Sequence, residues 1–316
     1  MRRLAPVLCL VVLAGCRATQ PPPPPAPVGR PAERIDAALQ AAVDSLAAGF
    51  DGTVGVYVRH LPSGRTAARR PNEIVPTASL VKVPILVTTF AQIEAGALAY
   101  DEGLVFRDSL RYSDDDLFGE LRDGATVPLH QAVELMLSAS DNTASLWLQA
   151  LVGGGAAVNA WLETHGFAAT RVNSRTPGRE ADRERFGWGQ TTPREMADLM
   201  RRIVEGEAVS RSADDEMHRA LTRTFYDGEA VSVLPPHVQA ASKQGAVMAS
   251  RSEVVYVHAP SGAYVFCVIT SEQADRRYTP DNAGYQLLRD YARLFWTTFE
   301  PASDWTPPAP DARYQL

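Results

Sequence analysis

Apolar positions change their spacing along this chain, and each change predicts an element. Ile35, Leu39, Val43, Leu46 and Phe50 recur at helical spacing, with Glu33, Arg34, Asp36 and Asp44 off that stripe. The pattern predicts a helix with one packing face. Gly52 closes it, and Val54, Val56 and Val58 then alternate with Gly55, Tyr57 and Arg59, the period of a strand. Pro62-Ser63-Gly64 turns the chain so that Arg65 to Arg69 can return beside it. Val83 to Ile93 is a nearly unbroken apolar run, predicting a buried helix. Helices are predicted over Leu129 to Leu137, Thr143 to Leu151, Ala156 to His165 and Pro193 to Val204, with a long polar loop over 171–191. Gly153-Gly154-Gly155 reads as a C-cap and turn, too short and too poorly placed for a phosphate loop. Glu253 to His258 and Ala263 to Thr270 are two strands joined by Ala259-Pro260-Ser261-Gly262, and Asn282 to Phe299 is a closing helix. Strands and a helix at both chain ends with helices between them predict an α/β (α+β) fold. One antiparallel sheet, built from both ends and covered by the terminal helices, carries an inserted all-helical lobe with a cleft between.

Composition narrows the class. A chain of 316 residues with 45% apolar and 22% charged residues is ordinary for a globular protein, and a net charge of −6 argues against nucleic acid as a partner. The first residues are not ordinary. Arg2 and Arg3 precede an apolar run from Leu4 to Leu13, then Ala14-Gly15-Cys16. That is a signal peptide over 1–15, and Leu13-Ala14-Gly15-Cys16 resembles a bacterial lipobox with Cys16 as the lipidated first residue. Residues 16–30 hold Pro21 to Pro25, a polyproline II spacer. A catalytic domain over 31–299 and a loose, Pro-rich tail over 300–316 complete the division. The expectation is an exported monomer, lipid-anchored to the bacterial cell envelope and facing the periplasm. Cys267, in an apolar run, reads as an inert core thiol, and no cofactor is expected. The six histidines are scattered without metal-ligand spacing, so no metal is expected either.

The chemistry lies in three short motifs. Ser79 and Lys82 stand three positions apart at the head of the buried helix, which puts an amine within reach of a hydroxyl one turn away. The Ser79 N–H has no partner inside such a helix and can meet a developing oxyanion. Ser140-Asp141-Asn142 follows a helix; its serine can pass a proton to a leaving nitrogen. Lys243-Gln244-Gly245 precedes the terminal hairpin. Lys243 can hold Ser140 and a substrate carboxylate, Gly245 lets substrate approach a strand edge, and the Ala246 N–H is placed to be a second oxyanion donor. A lysine ordinarily titrates near 10.4, so Lys82 acts as a base only where a dry cleft and the second cation, Lys243, push it down.

In this order the motifs resemble the class A β-lactamases and the penicillin-binding proteins that share their fold, over residues 31 to 299. Ser79-Leu80-Val81-Lys82-Val83-Pro84, Ser140-Asp141-Asn142-Thr143-Ala144 and Thr191-Thr192-Pro193 carry the likeness. It implies attack by Ser79 on a β-lactam or a D-Ala-D-Ala-like amide or ester through an acyl-enzyme, with Asn142, Gln244 and Gly245 contacting substrate. Two departures stand out. Gln244 replaces the threonine or serine usual after the lysine, and Arg251 is the expected substitute anchor for a substrate carboxylate. Where the family carries the glutamate that activates the deacylating water, this chain has Thr176, in Arg175-Thr176-Pro177. Glu180 and Glu184 stand at another offset among Arg179, Arg183 and Arg185 and read as solvated charges, with Glu180 kept as the alternative deacylation base. Slow deacylation is therefore expected. A D-alanyl-D-alanine carboxypeptidase and a non-catalytic muropeptide-binding lipoprotein are the competing readings.

Overall fold

The computed structural model describes residues 29–307, and Pro31 opens its one large compact unit. The signal peptide, Cys16 and the proline spacer lie outside the described residues. Six strands make the main sheet: β1 (Arg34–Ile35), β2 (Thr53–His60), β3 (Arg65–Arg69), β4 (Ala240–Val247), β5 (Ser250–Val257) and β6 (Tyr264–Ser271). Their order is β1-β3-β2-β6-β5-β4, antiparallel except for the β1–β3 pair. Both chain ends thus build one sheet, and β4 is left at an edge.

Helices α1 (Ala37–Ala48) and α9 (Ala283–Phe299) cover one face. Leu39 and Val43 of α1 and Leu288, Tyr291 and Phe295 of α9 pack there with Val54, Val56 and Val58 of β2 and Phe266 and Val268 of β6. The alternate strand residues, Tyr57, Val254, Val265, Cys267 and Ile269, face a second core under the helical lobe. The period of two therefore divides each strand between two cores. Burying a side chain such as Phe266 is worth a few kcal/mol, and truncating it to alanine costs roughly 3–5. Cys267 is a free, fully buried thiol, and burial pushes its titration up.

The lobe consists of α2 (Lys82–Glu94), α3 (Leu129–Ser138), α4 (Asn142–Leu151), α5 (Gly154–Thr164), α6 (Glu180–Phe186), α7 (Pro193–Glu205) and α8 (Arg211–Leu221). Its axis is α2, in which every residue from Lys82 to Phe90 is buried, as an all-round apolar helix must be.

Two local expectations change. Ile35 is not on the α1 stripe: Asp36 accepts the Leu39 N–H and caps the helix, so Ile35 stays outside in β1 and is 73% exposed. The polar stretch 171–191 is not one loop. It holds short strands at Arg171–Val172 and Gly189–Thr191 with α6 between them, because its ends pair with each other and with Val75–Pro76. Between the last inserted helix and the third motif, where the pattern predicts no element, α8, capped by Ser210, buries Ala213, Met217, Ala220 and Leu221. In the tail, the Trp305 indole donates to the Val233 carbonyl.

Candidate active site

Ser79 sits in a single 3-10 turn, Ala78–Val81, that feeds directly into α2. The turn is fixed from two sides. Thr77 donates its N–H to the Gly189 carbonyl, and the Val75–Pro76 strand pairs with Gln190–Thr191. Edge strand β4 arrives from the other side. A Cβ added at Gly245 would lie 2.9 Å from the Ser79 nitrogen and 2.9 Å from the Thr77 carbonyl oxygen, both backbone atoms. No side chain fits there, which is the physical reason for glycine in the third motif. Ala78 and Ser140 both hold left-handed backbone, φ 45° and 56°, at the two points where the chain turns to present its serines. Non-glycine residues keep that conformation only when their surroundings impose it.

The four motif side chains converge. The Lys82 amine is 3.2 Å from Ser79 Oγ, 3.0 Å from Ser140 Oγ and 2.9 Å from Asn142 Oδ1, and it also donates to the Ser140 carbonyl. The Lys243 amine is 3.1 Å from the same Ser140 hydroxyl and donates to the Gln244 carbonyl and to Gln244 Oε1, at 2.9 and 2.8 Å. Ser140 thus bridges two lysines. Burial lowers Lys82 to about 7, against the pull of Asp116 and Asp141. Lys243 also falls well below its ordinary value, first through burial and then through the charge of Lys82. The dry site thus makes the free amine of Lys82 accessible near neutral pH.

Two carboxylates behind this cluster have roles that the sequence reading did not assign. Asp141 accepts the N–H groups of Ala144 and Phe118, at 2.7 and 2.9 Å, and so caps α4. Asp116 accepts from the Asn142 N–H and from both the N–H and the hydroxyl of Thr143. Together they fix the segment that aims Ser140 and Asn142 at Lys82. Asp141 was in view as part of a motif. Asp116 lay in an acidic irregular stretch with no local signal.

Around Ser79 lies a cleft of about 390 Å³, lined by Asn142, Ala246 and Val247 and walled by Tyr112 and Trp188, whose rings meet edge-on at 4.9 Å. Arg185, Phe186 and Gly187 close the rim, and no carboxylate is among the residues described as lining it. Sequence patterning gave no sign of Tyr112, Trp188 or Phe186, since only tertiary contact brings them to Ser79.

Three expected site residues are elsewhere. Arg251 cannot anchor substrate: it is fully buried, donates to the Val247, Ser250 and Arg277 carbonyls, and stacks on Tyr278 and Tyr285. The register explains this, because Ser252 pairs with Gly245 on the side of the nucleophile, so Arg251 must point through the opposite face. Glu180 begins α6 on the surface, accepts the Gly178 N–H, and does not line the cleft. Thr176 is buried, donates to the Ser174 carbonyl, and fills the space beside Gly155, away from the cleft lining.

Fold and site together define the class, a serine hydrolase of the β-lactamase type. The profile of the beta-lactamase enzyme family matches residues 37–299, and the chain belongs to that family. Among its relatives, beta-lactamase AST-1 of Nocardia asteroides is 26% identical over 258 residues, covering 76% of this chain and 77% of that one. Beta-lactamase L2 of Stenotrophomonas maltophilia is 29% identical over 184 residues; that match covers 58% of this chain and spans 60% of the relative's length. The structure of PBP-A superposes with a TM-score of 0.77 at 26% identity, covering 86% of this chain and all of that one. A point mutant of PBP-A, solved as an acyl-enzyme complex with penicillin G, superposes equally well at 27% identity.

Proposed function

We propose that this protein is an acyl-serine hydrolase that opens β-lactams or D-Ala-D-Ala-like amides and esters and releases the resulting acyl-enzyme slowly. One observation carries the reading: Ser79, Lys82, Ser140 and Lys243 form a continuous chain of contacts at 3.2, 3.0 and 3.1 Å. The neutral Lys82 amine takes the Ser79 proton as Oγ attacks the acyl carbon. The oxyanion that forms is met by the Ser79 and Ala246 N–H groups. Ser140 gives its proton to the leaving nitrogen, and the two lysines that share its hydroxyl restore it. Water must then cleave the ester, and the cleft lining supplies no carboxylate to activate that water. Losing such a base typically costs about 10²–10⁴ in rate.

That same lining favours a second reading, a D-alanyl-D-alanine carboxypeptidase or penicillin-binding protein in which the acyl-enzyme is long-lived. A muropeptide-binding lipoprotein with a retired site is disfavoured, because Ser79, Lys82, Ser140 and Lys243 are all retained and in mutual contact. The Leu13-Ala14-Gly15-Cys16 segment supports export and lipid anchoring at the cell envelope.

Intact mass after mixing with a penicillin, followed in time, tests the main reading. The full mass of the drug should appear within the first turnover, map to Ser79 and persist. Labelling unchanged in Ser79→Ala would overturn the mechanism. Fast steady turnover without an accumulated adduct would overturn the slow-deacylation part alone.

A further inference from the structure

Two of the six histidines, scattered in sequence, meet in the fold. His218 lies in the last turn of α8, and His258 directly follows β5. Their separation of 40 residues is no metal-ligand spacing, yet their Nε2 atoms stand 3.3 Å apart at the surface. Both rings are held in place. His218 is half-buried on α8, whose Met217 and Leu221 belong to the core. His258 donates its N–H to the Gln239 carbonyl at 3.0 Å, and its ring lies 5.0 Å from that of buried Tyr256. Neither histidine lines the Ser79 cleft.

The geometry separates the ways in which two such nitrogens can meet. In a straight N–H···N hydrogen bond the rings point at each other, and an Nε2 separation of 3.3 Å would set their centres about 5.6 Å apart. Two imidazoles on one tetrahedral ion point instead at a common apex about 2.0–2.1 Å from each nitrogen. That sets the nitrogens about 3.3–3.4 Å and the ring centres about 5.2–5.3 Å apart. A right-angled pair, as on a square-planar or octahedral ion, would draw the centres in to about 4.5 Å. The observed separations are 3.3 Å between nitrogens and 5.2 Å between centres, so the two lone pairs converge on a tetrahedral apex. Asp215, one turn before His218 on the same side of α8, acts on it electrostatically and favours a cation, while the neighbouring Arg219 is paired with Glu216. Among the described residues no third His, Cys, Asp or Glu completes a cage, which leaves the other coordination positions to water or an outside ligand.

We infer that His218 and His258 form a two-histidine site for a divalent ion that takes imidazole in a tetrahedral array, zinc above all. The donor set excludes hard ions such as magnesium and calcium, which prefer oxygen. The two ligands come from elements that only the folded chain brings together. Helix α8 belongs to the helical lobe and β5 to the sheet, and the 40-residue span between the histidines carries Lys243-Gln244-Gly245. A bound ion therefore ties lobe to sheet and favours the native state over the unfolded chain, in which the two histidines are independent. The site does not depend on the reaction proposed for Ser79.

Calorimetric titration of the chelator-treated full chain with zinc tests this, with His218→Ala and His258→Ala beside wild type. Wild type should take up one ion more tightly than either variant, since losing the tethered second nitrogen weakens binding about a hundredfold. Urea melts give an independent readout. At free zinc a hundred times the wild-type Kd, the native-to-unfolded ratio should rise about a hundredfold in wild type and only about twofold in each variant. His218→Gln serves in place of alanine where alanine disturbs α8, and either position suffices if the other does not fold. Magnesium should move neither readout. A wild-type isotherm indistinguishable from that of the variants, a wild-type urea midpoint that zinc fails to raise, or an equal response to magnesium would overturn the inference.

Discussion

Replacing Lys82 with methionine should abolish acylation and at the same time stabilise the fold. Lys82 is buried at the head of α2, and its ammonium is held near 7 instead of 10.5. At about 1.4 kcal/mol per pH unit, that difference of 10.5 − 7 amounts to an upper bound of roughly 5 kcal/mol against the native state at neutral pH. Methionine has a similar length and no charge. Its removal of the amine leaves the Ser140 carbonyl and Asn142 Oδ1 without their donor, at about 1–3 kcal/mol each. The net change at pH 7 therefore runs from about −1 to +3 kcal/mol, a gain over most of that range. The sign with pH follows from proton counts. Between 7 and 10.5 the unfolded chain holds the Lys82 proton and the native one does not, so wild-type stability rises with pH across that window. Urea melts of both proteins at several pH values between 7 and 10 provide the assay, and the difference between them cancels titrating groups not coupled to Lys82. The advantage of Lys82→Met should shrink by about 1.4 kcal/mol per pH unit. A difference flat across the window would show that Asp116 and Asp141 hold Lys82 charged and that it is not the base. In wild type, the acylation rate followed by stopped flow should climb through a midpoint near pH 7.

Other substitutions follow from the same geometry. Gly245→Ala forces a methyl group against the Ser79 and Thr77 backbone, and the acylation rate should fall about a hundredfold while thermal melting stays cooperative. Thr176→Glu puts an unpaired carboxylate into the packed space beside Gly155; urea melts should show a loss of about 3 kcal/mol with no faster release of the acyl group. Cys16→Ser should convert a membrane-bound protein to a soluble or unprocessed one on fractionation, and wild type already soluble would refute the lipid anchor.

Much was decided by the sequence alone. The alternation of Val54, Val56 and Val58 and the helical stripes fixed a two-ended sheet with a helical insert, because periods of two and 3.6 set which side chains can share a face. The motif residues could be named because a nucleophile, its base and a proton donor must be particular residue types at short spacing. Ile35 missed its helix by a single cap, and α8 hid because its apolar positions are thinly spread among charges. What remained for tertiary structure was direction and neighbourhood. Arg251 is one residue from a position that faces Ser79, and the strand register alone sends it to the far side. Asp116, Tyr112 and Trp188 come from segments without regular patterning and reach the site only when helices and loops distant in sequence pack together. The lowered titration of Lys82 is of the same kind: it is not a property of lysine or of its motif, but of the water that the closed lobe and sheet exclude.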